Sequence, residues 1–352
     1  MNWKIKLKYM AKLSVLVCVL LMGCQINPTS PPARHGAKMI YDPAAKQVIM
    51  FGGRGEGEIV GDLLDDIWAL DLEKGNWHEI KTPSGPSPRL SPGFVYDPTH
   101  HQVILFGGYT SGGRLDDTWL LNLNDYEWEK VDSALSPPAR SDMGMAYDQS
   151  NEFVLLFGGY CLENLRDHCD DTWVFDPDSN RWIEMNPASS PPVMYGLTLD
   201  YDSENNQFLL WGGHMSEFRQ GGMASAGYND SIWSYSVSEN HWREISPGIE
   251  SHPVARYWHQ AAYDSEYPGL LVFGGDGGYS YLADTWFFDL ESESWTRKRS
   301  DLAPPARIVG SAVYSPDYGQ VILFGGLDND FSNLNDTWSY SNISGEWEQI
   351  SR

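Results

Sequence analysis

Tyr96-Asp97-Pro98-Thr99-His100-His101-Gln102-Val103-Ile104-Leu105-Phe106-Gly107-Gly108, then Asp117-Thr118-Trp119 and a second Trp at 128, is one of six near-copies of a single pattern in this 352-residue chain. The glycine pairs begin at Gly52, Gly107, Gly158, Gly212, Gly274 and Gly325. The Trp pairs, always nine residues apart, are Trp68/Trp77, Trp119/Trp128, Trp173/Trp182, Trp233/Trp242, Trp286/Trp295 and Trp338/Trp347. Eighteen residues before each first glycine stands Arg34, Arg89, Arg140, Met194, Arg256 or Arg307, and ten before it Asp42, Asp97, Asp148, Asp202, Asp264 or Ser315. The fixed block is a hairpin: an alternating apolar strand, a turn of Asp, Pro, Ser and Asn, and a buried strand that leaves the sheet at Gly-Gly. The Trp pair marks a second hairpin of constant length. A period of roughly 50 residues made of short strands predicts an all-β radial array with four antiparallel strands in each repeat.

Residues that recur in every repeat are expected to build the repeat. Gly-Gly supplies a sharp strand exit, and the paired Trp fill the gap between flat sheets. The five repeated arginines are expected to pair with acids between repeats rather than to converge as an anion trap.

These residues resemble a bacterial Kelch family, whose repeats read much like Tyr-Asp, Val-Ile-Leu-Phe-Gly-Gly, Asn-Asp-Thr-Trp and a final Trp. The resemblance spans residues 33–352 and implies a six-bladed Kelch-type β-propeller, with blades at about 33–82, 88–132, 138–186, 192–246, 253–299 and 304–350. The repeats run complete from one end to the other, so no strand is left over to be shared between first and last blade, and the mode of ring closure stays open.

The N-terminus reads as a separate device. Lys4, Lys6, Lys8 and Lys12 precede an apolar run from Leu13 to Met22, too short for a membrane span, and then Gly23-Cys24. Leu21-Met22-Gly23-Cys24 resembles the bacterial lipobox. The expectation is a lipoprotein signal peptide at 1–23, lipidation at Cys24, a short tether at 24–32, and a monomeric propeller in the cell envelope. Gln25 after the Cys points to the outer membrane, on its periplasmic or its surface face, with membrane contact through the lipid alone.

The chain carries a formal charge of −24. Such a field repels polyanions, no basic stripe offsets it, and nucleic acid is excluded as a partner. Cys161 and Cys169 share the loop after the third Gly-Gly and are expected to form a disulfide in an oxidising compartment; the rival is a metal site of Cys161, His168 and Cys169. Asp328, Asp330 and Asp336 miss the EF-hand pattern, metalloprotease, esterase and phosphate-loop motifs are missing, and no cofactor or metal is expected.

Two positions vary from blade to blade. Directly after the repeated Arg stand His35, Leu90, Ser141, Tyr195, Tyr257 and Ile308. Directly after Gly-Gly stand Arg54, Tyr109, Tyr160, His214, Asp276 and Leu327. In Kelch propellers both positions commonly line the mouth of the central channel, so the resemblance implies a rim of His35, Ser141, Tyr195, Tyr257, Arg54, Tyr109, Tyr160, His214 and Asp276, joined by Trp258 and His259. Aromatic faces stack on sugars or peptides alike. The reading is of a non-catalytic module that holds a glycan or an envelope protein there. The alternative is a periplasmic sugar-acting enzyme of the sialic acid epimerase type, with His35, His214, His259 or Asp276 as acid and base. Its mark would be a His and a carboxylate meeting deep in the channel beside an inward Arg.

Overall fold

A computed structural model describes residues 30–56, 62–163, 166–215, 227–245 and 251–351. The proposed signal peptide and Cys24 lie outside these residues, as do residues 216–226 of the fourth repeat.

Six four-stranded antiparallel sheets form the six blades of a propeller, each from one repeat with its strands in chain order from the axis outward. Blade 2 is typical: Gly93–Asp97 pairs with Gln102–Phe106, which pairs with Thr118–Asn122, which pairs with Trp128–Val131. The aspartate ending each first strand folds its turn. Asp97 Oδ1 accepts from the backbone N–H of Thr99 and His100, and Asp42, Asp148, Asp202 and Asp264 do the same in their own turns. A short side-chain acceptor two residues back is what such a turn requires.

The core is six apolar clusters, one at each blade junction. The second Trp of each pair drives the packing by laying its ring on the aromatic residue before the preceding blade's Gly-Gly. Trp77 meets Phe324 at 5.2 Å, Trp182 meets Phe106 at 4.9 Å and Trp295 meets Trp211 at 5.0 Å between centroids. In four junctions its indole N–H also donates to a buried threonine of that blade: Trp77 to Thr337, Trp182 to Thr118, Trp242 to Thr172 and Trp347 to Thr285, at 2.9–3.0 Å. Blades 1 and 4 carry Ile67 and Ile232 at the threonine position, and the facing Trp128 and Trp295 indole nitrogens have no hydrogen-bond partner.

The repeated arginines are fully buried and pair within their own blade, which corrects the expectation of a pairing between blades. Arg34–Asp66, Arg89–Asp117, Arg140–Asp171, Arg256–Asp284 and Arg307–Asp336 meet at 2.5–2.7 Å. Each guanidinium also donates to the carbonyl of its blade's first glycine, and each carboxylate accepts the indole N–H of the first Trp. Arginine's planar fork serves a carboxylate and a carbonyl together. In blade 4 both partners change: Met194 replaces Arg, Ser231 replaces Asp, and the Asn229 amide donates to the Gly212 carbonyl at 3.3 Å.

Ring closure, open in the sequence, rests on two circles of backbone hydrogen bonds. The second glycine of every pair donates to the carbonyl of the next blade's Arg or Met, from Gly53→Arg89 round to Gly326→Arg34, at 2.8–2.9 Å. The residue two past each Arg donates to its counterpart one blade back: Ser91→Gly36, Asp142→Ser91, Gly196→Asp142, Trp258→Gly196, Val309→Trp258 and Gly36→Val309, at 2.8–3.1 Å. The glycine pairs are demanded by this approach. Both glycines of each pair have positive φ, and a Cβ on the first would stand 2.6–2.8 Å from the neighbouring blade's carbonyl oxygen. Blade 6 meets blade 1 as any two neighbours meet, with Met39 N donating to Ser311 Oγ and Tyr41 Oη to Asp317.

Candidate functional site at the channel mouth

The two variable positions lie side by side in every blade. His35 bridges to Arg54, Leu90 to Tyr109, Ser141 to Tyr160, Tyr195 to His214, Tyr257 to Asp276 and Ile308 to Leu327 through backbone hydrogen bonds. The expected rim is thus one circle of residue pairs, yet its chemistry is lopsided.

Blades 2 to 5 build a continuous aromatic arc. The Arg114 guanidinium sits 3.7 Å above the Tyr160 ring and 5.5 Å from that of Tyr109. Tyr160 packs on His168 at 5.2 Å and on Tyr195 at 5.3 Å. Tyr195 is the hub, with His168, His214, Tyr257 and Trp258 all within 4.6–5.9 Å between centroids. Tyr228 stacks on Tyr257 at 5.3 Å and 17°. The disulfide Cys161–Cys169, formed as expected, brackets the hairpin in which Tyr160 pairs with His168 and fixes that part of the arc. The opposite side is mainly polar and aliphatic: His35 Nδ1 meets Asn333 Oδ1 at 2.6 Å, beside Arg54, Leu327, Ile308 and Leu90, with Tyr281 and the exposed Phe331, 6.3 Å apart between centroids, at its edge. Asp276 stands where the arc ends in blade 5, its Oδ1 accepting from Gly278 N.

Two of the expected rim residues face inward instead. Ser141 is buried and donates to Asp142 at 2.8 Å. His259 is only 5 % exposed, lies edge-on to Trp211 at 4.7 Å, and bonds through Nε2 to Thr198 Oγ1 at 2.9 Å. Burial, aided by the nearby Arg256 and Lys38 charges, holds its pKa well below the usual imidazole value. Burial also lowers His35 and His214, so all three rings are neutral near pH 7, and it pushes the Tyr195 phenol up to about 12. Of the groups named for the epimerase-type alternative, His214 and Asp276 interact through space across the mouth. His35 is held by Asn333 and His259 by Thr198, and the five repeated arginines are bound to their own aspartates.

Trp258 forms the floor of the arc. Its indole crosses Gly196 of blade 4, where a Cβ would lie 2.8 Å from Trp258 Cδ1, and donates to Asp142 Oδ1 of blade 3 at 3.1 Å. Below this bridge lies a small cavity of about 40 Å³, and below that the main channel, about 620 Å³, walled by the six first strands. Arg114, His168, Tyr228 and Asp142 escaped the sequence reading of the site. The first three each stand five residues before the first Trp of their blade and pair with the residue after Gly-Gly; Asp142 occupies the position two past Arg, filled in the other blades by Gly36, Ser91, Gly196, Trp258 and Val309.

The six blades share one topology and gather most of the mouth's rings on one half of the rim. The chain belongs to the Kelch-repeat family, since the KLHDC2/KLHL20/DRC7 Kelch-repeats domain matches residues 21–197 and again residues 188–352. It is 24 % identical over 333 residues to Kelch domain-containing protein 2 of Bos taurus, covering 85 % of this chain and 77 % of that one. It is 25 % identical over 324 residues to Kelch domain-containing protein 10 of Xenopus tropicalis, covering 85 % and 72 %. Multiple epidermal growth factor-like domains protein 8 of Rattus norvegicus matches at 25 % over 80 % of this chain but only 10 % of its own length.

Proposed function

We propose that this propeller is a non-catalytic interaction module of the cell envelope that holds a polypeptide segment of a partner on the aromatic arc from Tyr109 to Tyr257, above the Trp258 floor. The observation that carries this is the arc itself. Large rings and neutral imidazoles are gathered on one half of the rim, where they bury a ligand's apolar surface while hydroxyl and imidazole tips fix its orientation. A glycan is the competing ligand, because sugars stack on the same rings. Binding of a peptide library and a glycan array to the purified protein, beside the His214→Ala/Tyr257→Ala double variant, tests the reading. Peptide binding lost in the variant supports it, glycan binding lost in the variant replaces the ligand class, and binding that the variant retains moves the site elsewhere.

The envelope location is part of the proposal. The basic and apolar order of residues 1–23, the lipobox-like Leu21-Met22-Gly23-Cys24 and a disulfide in the folded domain favour export and a lipid anchor in a bacterial outer membrane. Labelled palmitate incorporated by the wild type and not by Cys24→Ala supports the anchor; secretion of an unlabelled protein refutes it.

A further inference from the structure

The first strands that wall the channel repeat their side chains as the rest of the blade does, with two exceptions. At the position of Ile40, Val95, Ala146, Ala262 and Val313, blade 4 carries Asp200. At the position of Gly93, Gly144, Thr198, Gln260 and Ser311, blade 1 carries Lys38. Blades 1 and 4 stand on opposite sides of a six-bladed ring, and both residues line the 620 Å³ channel. Neither has a side-chain partner of opposite charge in contact: Lys38 feels Asp142 and Asp200 only through space, and Asp200 accepts one hydrogen bond, from Tyr263 N at 3.1 Å. Both are half-buried, and charges withdrawn from water are tolerated when they are paired or when a ligand is to pair them. Between them the wall offers Gln260, 2 % exposed, whose Oε1 has no hydrogen-bond partner. The rest of the lining is mostly apolar side chains and tyrosines, with the neutral His259 and the hydroxyls of Thr198 and Ser311 among them.

We infer that the central channel is a second binding site, separate from the aromatic arc, for a small zwitterion of the amino-acid class, with its carboxylate on Lys38 and its ammonium on Asp200. The volume exceeds that of a free amino acid and admits an apolar side chain against Ile40, Val95 and Val313. The inference is independent of the mouth ligand, because none of its charged groups belongs to the arc.

The test is calorimetric titration of the purified protein with L-leucine and glycyl-leucine, beside 4-methylpentanoate and 3-methylbutylamine, each of which lacks one of leucine's charges. Only the two zwitterions are expected to bind. Asp200→Ala and Lys38→Thr install residues that other blades already carry at these positions and should each weaken binding at least tenfold, with binding at the arc unchanged. Asp200→Asn, nearly isosteric, repeats the test if the alanine variant folds poorly. The inference is overturned if no zwitterion binds, if a single-charge analogue binds as well as leucine, or if the variants keep wild-type affinity.

Discussion

Blade 4 carries a natural substitute for the Arg–Asp pair of the other blades, and transplanting it measures what the pair contributes. In blade 6, Arg307 makes two bonds to Asp336, one to the Gly325 carbonyl and one to the Pro305 carbonyl. Arg307→Met removes all four and leaves a carboxylate and two carbonyls poorly satisfied, a loss of about 3–5 kcal/mol for breaking a buried pair from one side. The ring has roughly 320 residues, and about 2.1 cal/mol/K of unfolding entropy per residue makes 1 kcal/mol worth about 1.5 °C, so Tm should fall by about 6 °C. The triple variant Arg307→Met/Asp336→Ser/Leu334→Asn copies Met194, Ser231 and Asn229, and its asparagine can take the Gly325 carbonyl as Asn229 takes that of Gly212. What stays lost is the acceptor of the Trp338 indole, as at Trp233 in blade 4, about 1–2 kcal/mol. Tm should therefore recover to within about 3 °C of wild type. Differential scanning calorimetry decides: a triple variant no more stable than Arg307→Met would refute the view that these three positions form one exchangeable unit.

Two further outcomes follow from the junctions and the channel. Thr285→Val leaves the Trp347 indole N–H unpaired and should cost about 1–2 kcal/mol, whereas Ile232→Thr gives Trp295 the acceptor it lacks and should be neutral or stabilising; paired urea titrations read both signs, and equal losses would sink the argument. His259 is kept neutral when folded and takes a proton below about pH 6.5 when unfolded, so its contribution is complete above that pH and is lost as pH falls, by up to about 1.4 kcal/mol per unit. His259→Gln should flatten the fall of Tm between pH 7 and 5. Asp200, raised to about 6, has the opposite sign and loses its contribution as pH rises from about 4 to 6, so it cannot mimic the effect.

The repeat made most of the fold legible. A fixed distance from Arg to Gly-Gly and from Trp to Trp leaves one way to pair the strands, and the four-stranded repeat and the disulfide were legible in the chain itself. The two variable positions keep a fixed spacing for the same reason, since each pair is bridged through backbone. What sequence could not supply was direction. Ser141 holds the position of Tyr195 but carries a short side chain that stays buried against Asp142, and His259 lies two residues past Tyr257, beyond the left-handed Trp258, and is buried as well. Arg114, His168 and Tyr228 follow Gly-Gly at different distances, which hid them from a count forward from the glycines, although each stands five residues before the first Trp of its blade. Asp200 and Lys38 were visible as letters but hidden as signals, because a first strand read as scaffold gives no reason to ask what faces the axis.

A belt fastened by the same clasp at every notch has no privileged buckle, and it parts wherever a clasp is weakest. Here that is the flank of blade 4, which lacks the Arg–Asp pair, leaves the Trp233 indole without an acceptor and offers Trp295 an isoleucine in place of a threonine. Tyr195, His214 and Tyr228 ride on that same blade. The fault line of the ring therefore runs under the centre of the aromatic arc.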